Sequence, residues 1–225
     1  NRSLNFFRNK IEVFSKFIFE IKEIINTNKT ILDIGGGLPS NMPREVQESL
    51  GISNFILSDY GELLNKVREK YNLTDIKFAI EPGTCLAANA LHLVGNIHAI
   101  NESDLKINVN TDISKSLLGG ISQKAIFPME IISDPLKNKK RKLYNKPIYF
   151  SGFTCVEDDV FGYKKEDLCL DLSDKVILTS VGSYSAVFKS PFINGDICLY
   201  TWDGYNLNLS RSPQTANDIY SKYIF

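Results

Sequence analysis

An α/β segment followed by a β segment is the fold class that the 225 residues predict, on three observations. Short apolar strands alternate with helical stretches up to about residue 80, strands separated by turns take over after Ala88, and two of the early strands run directly into loops rich in glycine or ending on a carboxylate. Alternating strand and helix builds parallel sheet, whereas strand followed by turn and strand builds antiparallel sheet.

Leu4, Phe7, Ile11, Phe14, Ile18, Ile21 and Ile25 recur at three- and four-residue steps. That spacing predicts an amphipathic helix from about Ser3 to Asn26, packed on the outside of a sheet. A strand is predicted at 30–34, a helix at 43–50, a strand at 54–58, a helix at 60–71 and a strand at 77–80. Further strands are predicted at Leu91–Ala99, Lys106–Asn110, Pro147–Gly152, Lys175–Val181 and Asp196–Thr201. The change of pattern sets a boundary near residue 90, dividing the chain into 1–90 and 91–225. No internal repeat or low-complexity tract interrupts it.

Lys plus Arg and Asp plus Glu number 26 each, so net charge argues for neither a nucleic-acid nor an acidic-membrane partner. With 43% hydrophobic residues the chain can bury a sizeable core. No apolar stretch approaches the roughly 20 residues that span a bilayer. Four cysteines without metal-type spacing read as reduced thiols of a cytoplasmic protein, with Cys85, Cys169 and Cys198 expected as small core residues. His92 and His98, six apart on a strand-like stretch, share a face, and ordinary packing is the expected role; no metal site is predicted. The basic run 137–142 reads as a solvated hairpin loop.

Two loops carry the chemistry. After Thr30–Ile34 come Gly35, Gly36 and Gly37, which have no Cβ and let the backbone turn sharply and present its N–H groups to an anion. After Lys77–Ile80 come Glu81, Pro82, Gly83 and Thr84. Strand ends of this kind form the ligand-binding rim of parallel α/β folds. Alone, three glycines equally suit a tight turn, and a lone glutamate at a strand end is more commonly a helix cap or a surface residue.

Together with Cys155-Val156-Glu157-Asp158-Asp159 and Val181-Gly182-Ser183-Tyr184-Ser185, these loops resemble the motifs of the alanine-racemase-like pyridoxal-phosphate decarboxylases, which include the ornithine, diaminopimelate and arginine decarboxylases. The resemblance runs in order along nearly the whole chain. It implies the C-terminal part of a (β/α)8 TIM-type barrel over 1–90, followed by an antiparallel β-barrel or sandwich domain over 91–225. The cofactor it implies is pyridoxal 5'-phosphate. Gly35, Gly36 and Gly37 would wrap the phosphate, Glu81 would keep the pyridine nitrogen protonated, and Gly83, Thr84 and Tyr184 would complete the cofactor contacts. In the family an arginine usually stands where this chain has Thr84, so another residue must supply charge or cofactor binding is weaker.

Cys155 would protonate the carbon left after decarboxylation, and Asp159 would reach with it across a homodimer interface toward the partner's active site. A small-molecule amino acid is the implied substrate. Its choice depends on the segment Lys124–Met129, where Pro128 takes the place of an acid, and on Val156 after the cysteine, so a side chain larger or less charged than a plain diamine precursor is expected, with Glu157 and Asp158 as alternative sources of charge. The lysine that binds the cofactor covalently has no counterpart here, which reads as the C-terminal part of a longer enzyme, inactive by itself, with an open barrel edge that favours aggregation. The tail Tyr205–Pro213 resembles the family's last segment and sets an expected C-terminus near Phe225. Two other readings stay open: a catalytically silent relative that binds a protein partner, and a racemase on the same barrel.

Overall fold

The structure is a computed structural model that describes residues 3–38, 44–49, 56–119, 127–133, 141–165, 167–189 and 192–224. Helix α1 (Leu4–Glu20) starts at Ser3, whose hydroxyl accepts the Phe6 amide at 3.2 Å and so satisfies one first-turn donor. Phe7, Ile11 and Ile18 are buried, but Phe14 is 43% exposed, so the helix buries a narrower stripe than the sequence pattern predicts. It also ends earlier, at Glu20, and a 3₁₀ turn at Lys22–Ile24 replaces the last predicted turn.

Strand β1 (Ile31–Asp33) is followed by helix α2 (Arg44–Ser49), helix α3 (Leu57–Lys70) and strand β2 (Lys77–Ala79). The strand predicted at 54–58 is absent over 56–58, while residues 54 and 55 lie outside the described residues. Helix α3 has already begun there: the Asp59 carboxylate accepts the Ile56 amide at 2.9 Å, and Tyr60, Leu63 and Val67 form one buried helical stripe. Helices α1 and α3 pack together, with Phe7 edge-to-face on Tyr60 at a centroid distance of 4.8 Å and Lys70 paired with Glu12 at 3.1 Å. Strands β1 and β2 pair in parallel, Leu32 opposite Phe78 and Asp33 opposite Ala79.

Beyond the short helix α4 (Thr84–Ala87) the structure is mainly β: β3 (Leu93–Glu102), β4 (Ile107–Thr111), β5 (Met129–Ile132), β6 (Lys142–Tyr144), β7 (Ile148–Ser151), β8 (Val160–Lys164), β9 (Leu168–Leu170) and β10 (Lys175–Leu178). A helical turn α5 (Gly182–Ser185) precedes β11 (Leu199–Trp202), β12 (Leu207–Arg211) and helix α6 (Ala216–Tyr220). Six strands form one sheet in the order β5-β10-β3-β4-β7-β8, and the pairs β6–β9 and β11–β12 stand separately. The large sheet is mixed rather than antiparallel throughout. Strand β7 joins β4 in parallel, because β5 and β6 intervene in the chain and it returns as a crossover instead of a hairpin. Alternate residues Ile107 and Val109 of β4, and Ile148 and Phe150 of β7, are fully buried, which is the period-two face of a half-buried sheet. The buried side chains of α1, β1 and α3 and those of the large sheet belong to one apolar cluster.

Three expectations about single residues are corrected. Cys169 and Cys198 are exposed rather than core residues, and Cys85 is half-buried. On β9, Leu170 takes the buried position and alternation turns Cys169 outward. Of the basic run, 137–140 lie outside the described residues. Arg141 is not simply solvated, since it pairs at 2.6 Å with Asp174, whose side chain is 1% exposed, and Lys142 pairs with Glu102.

Candidate active site

Parallel pairing of β1 with β2 brings their two loops side by side. The ladder continues past the strands: the Ile34 amide donates to the Ala79 carbonyl at 3.1 Å, and the Glu81 amide donates to the Gly35 carbonyl at 3.1 Å. Gly35 and Gly37 adopt φ of +71° and +82°, the left-handed region that side chains disfavour. At Gly36 a Cβ would lie 2.7 Å from the Glu81 carbonyl oxygen, so the two loops touch through backbone. The Gly35 amide is held by the Asp33 carboxylate at 2.8 Å. The amides of Gly36 and Gly37 have no hydrogen-bond partner among the described residues. Successive amides in alternating hand form the nest geometry that cradles anions.

Glu81 is exposed at the rim, and its Oε2 lies 3.8 Å from the position a Cβ on Gly35 would take. From the other side comes Tyr184, whose hydroxyl oxygen lies 3.4 Å from the corresponding position at Gly83. Tyr184 holds φ of +64°, a conformation costly for an aromatic residue, roughly 1–3 kcal/mol. It is enforced by its surroundings: the Gly119 amide donates to the Ser185 hydroxyl at 3.2 Å, the Val181 amide to the Leu91 carbonyl at 3.1 Å, and the Ser180 hydroxyl to Asn89 at 2.8 Å. Thr84 opens α4 beside Gly83 and is half-buried. Next to it, burial pushes the Cys85 thiol up, which keeps that sulfur an inert neutral group.

Gly35, Gly36, Gly37, Glu81, Gly83, Thr84 and Tyr184 therefore converge, and Cys155 and Asp159 do not join them. No hydrogen bond among the described residues links the Cys155 turn to the glycine loop, Glu81 or Tyr184. Cys155 is exposed, as are Val156, Glu157 and Asp158, but Asp159 is only 4% exposed. Its carboxylate accepts from the Ser114 hydroxyl at 2.8 Å, the Lys115 amide at 2.9 Å, the Thr154 amide at 3.2 Å and the Thr154 hydroxyl at 2.6 Å. Its backbone closes the same turn, accepting the Gly152 amide at 2.8 Å. In this chain Asp159 is turned inward as the keystone of the turn that presents Cys155, instead of reaching outward.

The segment Ser114–Gly119 ties the two clusters, binding Asp159 at one end and Ser185 beside Tyr184 at the other. Sequence reasoning missed this segment, which carries no chemical motif. It also missed Lys10, whose ammonium donates to the Ile34 carbonyl at 2.6 Å, at the mouth of the glycine loop. The only signal was a lysine set between Phe7 and Ile11 on the apolar stripe of α1. Of the substrate segment, Lys124–Ile126 lie outside the described residues. Phe127 is buried, and the Pro128 carbonyl accepts the Thr179 amide at 3.0 Å. No group of metal ligands occurs among the described residues, and no described helix is long and apolar enough to cross a membrane.

No family model matches the chain. The diaminopimelate decarboxylase of Methanocaldococcus jannaschii is 25% identical over 171 residues, covering 75% of this chain and 36% of that protein. Its crystal structure in complex with L-lysine superposes with a TM-score of 0.80 at 22% identity, over 100% of this chain and 50% of that one. The diaminopimelate decarboxylase of Helicobacter pylori complexed with L-lysine gives 0.71 at 17% identity, over 94% and 50%. The arginine decarboxylase of Paramecium bursaria Chlorella virus bound to agmatine gives 0.61 at 20% identity, over 85% and 49%. The chain thus spans about half the length of these solved structures. It is homologous to diaminopimelate decarboxylase and has the fold that the diaminopimelate and arginine decarboxylases share over that half.

Proposed function

We propose that the intact protein is a pyridoxal-phosphate-dependent amino-acid decarboxylase, working as a homodimer. Residues 1–90 would be the last βα units of its barrel and 91–225 its β domain. The observation that carries this reading is the convergence of the glycine loop, Glu81 and Tyr184 on one rim, with two glycine amides free to bind an anion. The donor set fits the cofactor: a backbone nest and a tyrosine hydroxyl suit a phosphate, and an exposed carboxylate suits a protonated pyridine nitrogen.

When bound, pyridoxal phosphate supplies an electron sink for the bond to the departing carboxylate. The Gly36 and Gly37 amides would hold its phosphate, with Thr84 and the Tyr184 hydroxyl alongside. The Glu81 carboxylate would hold the proton at the ring nitrogen. Cys155, at the exposed tip of a turn locked by Asp159, would deliver a proton from Sγ to the product carbon in the partner's site. Val156, 52% exposed, gives the tip an apolar side chain where an ion-pairing group would select a diamine precursor. This favours an amino acid whose distal end is larger or less charged.

A panel of carboxyl-labelled amino acids, including diaminopimelate, ornithine, lysine and arginine, tests the reading by released carbon dioxide. The expected result is release from at least one substrate, abolished without cofactor, and roughly 100-fold or more slower in Cys155→Ala. Clean preference for ornithine or lysine would refute the substrate proposal. Racemisation without carbon dioxide would make the protein a racemase, and inertness with bound cofactor a silent relative.

A further inference from the structure

We infer that Lys10 is a phosphate-binding residue of the cofactor site and supplies the positive charge that the glycine loop itself lacks. The inference rests on the cofactor reading above. A phosphate monoester carries nearly two negative charges at neutral pH. The groups that meet around the loop are backbone amides, the neutral hydroxyls of Thr84 and Tyr184 and the carboxylates of Asp33 and Glu81, so their side-chain charge is of the wrong sign. Among the atoms nearest Gly35, Gly36, Gly37 and Gly83, the cationic one is Lys10 Nζ, 3.4 Å from the position a Cβ on Gly35 would take.

Lys10 is also fixed there. Its neighbours on the helix, Phe7 and Ile11, are 2% and 0% exposed, and the Phe7 ring edge lies 3.8 Å from the Cβ position at Gly37, so α1 docks directly beneath the loop. The ammonium is half-buried and uses one of its three donors on the Ile34 carbonyl. No carboxylate among the described residues pairs with it. Two donors remain for an anion on the glycine amides, and Glu81 Oε2 lies 3.8 Å from the same Cβ position at Gly35, within reach of the ligand's ring. One lysine and one glutamate thus approach the same glycine, which suits a ligand that carries both an anionic and a cationic group.

The test compares pyridoxal phosphate with pyridoxal, which lacks the phosphate, by calorimetric titration of the intact protein. Lys10→Met is expected to raise Kd for pyridoxal phosphate by about 10- to 100-fold while leaving pyridoxal within about twofold of wild type. Lys10→Arg should recover most of the lost affinity, because it restores the charge. Lys10→Gln keeps a donor for Ile34 without the charge and should show the same phosphate-selective loss, which covers the case in which Lys10→Met does not fold. Equal losses for both ligands, or unchanged affinity for pyridoxal phosphate in both neutral variants, would overturn the inference and leave the cofactor reading standing. A wild-type protein that binds neither ligand would overturn both.

Discussion

At the scale of single residues, the site depends on a few close approaches that tolerate no added atom. Gly36→Ala drives a methyl into the Glu81 backbone carbonyl, and the expected outcome is a loss of roughly 1–3 kcal/mol in stability together with at least tenfold weaker pyridoxal-phosphate binding, measured by thermal melts and by titration. Asp159→Asn presents an amide to a pocket built from donors. Losing those charge-assisted bonds should cost about 2–3 kcal/mol, a fall in Tm of roughly 4–12 °C, and lower the decarboxylation rate by releasing the Cys155 turn while leaving cofactor affinity unchanged. The placement of the glycines and Glu81 on adjoining strand ends was legible in the sequence because each follows directly on an apolar strand. The inward turn of Asp159 was not, because a four-residue spacing from Cys155 does not say which way the carboxylate faces. Nor was the contact of Lys10, which spans 24 residues and depends on the phase at which α1 docks.

At the scale of elements, the long strand β3 ends on Glu102, which grips Lys142 of β6 at 2.5 Å and Lys146 at 3.2 Å. The hydrogen bond from Lys142, then that from Lys146, holds the Glu102 carboxyl below the usual glutamate range. A depressed carboxylate stabilises the fold above its unfolded-state pKa, and the contribution is lost as pH falls through its folded value. Glu102→Gln should therefore be slightly less stable than wild type near neutrality and converge with it as pH falls below about 4, so its acid limb is the flatter of the two. Thermal melts across that range check it, and parallel acid limbs in both proteins would contradict it. Most strands were legible from alternation and turns, as were α1, the helix at 43–50 and α3. The mixed order of the large sheet was not, since strand direction is set by which neighbour β7 finds after the crossover. The 54–58 stretch misled because its apolar run reads as a strand, whereas the Asp59 cap begins a helix at Leu57.

At the scale of the whole molecule, parallel strand ends, the α1 face and the α5 turn come from distant parts of the sequence and meet at one rim. The likeness to diaminopimelate decarboxylase was legible because its motifs keep their order along the chain, while the composition alone was uninformative about chemistry. The claim on which the rest depends is that this rim holds pyridoxal phosphate. The most direct test is the absorbance spectrum of the intact protein with added pyridoxal phosphate, followed by borohydride reduction and mass mapping of the labelled residue. Expected are a visible band that reduction bleaches, a label on a lysine other than those of these 225 residues, and a band in Gly36→Ala that needs at least tenfold more cofactor to develop; absence of any band in the wild type at saturating cofactor would overturn the claim.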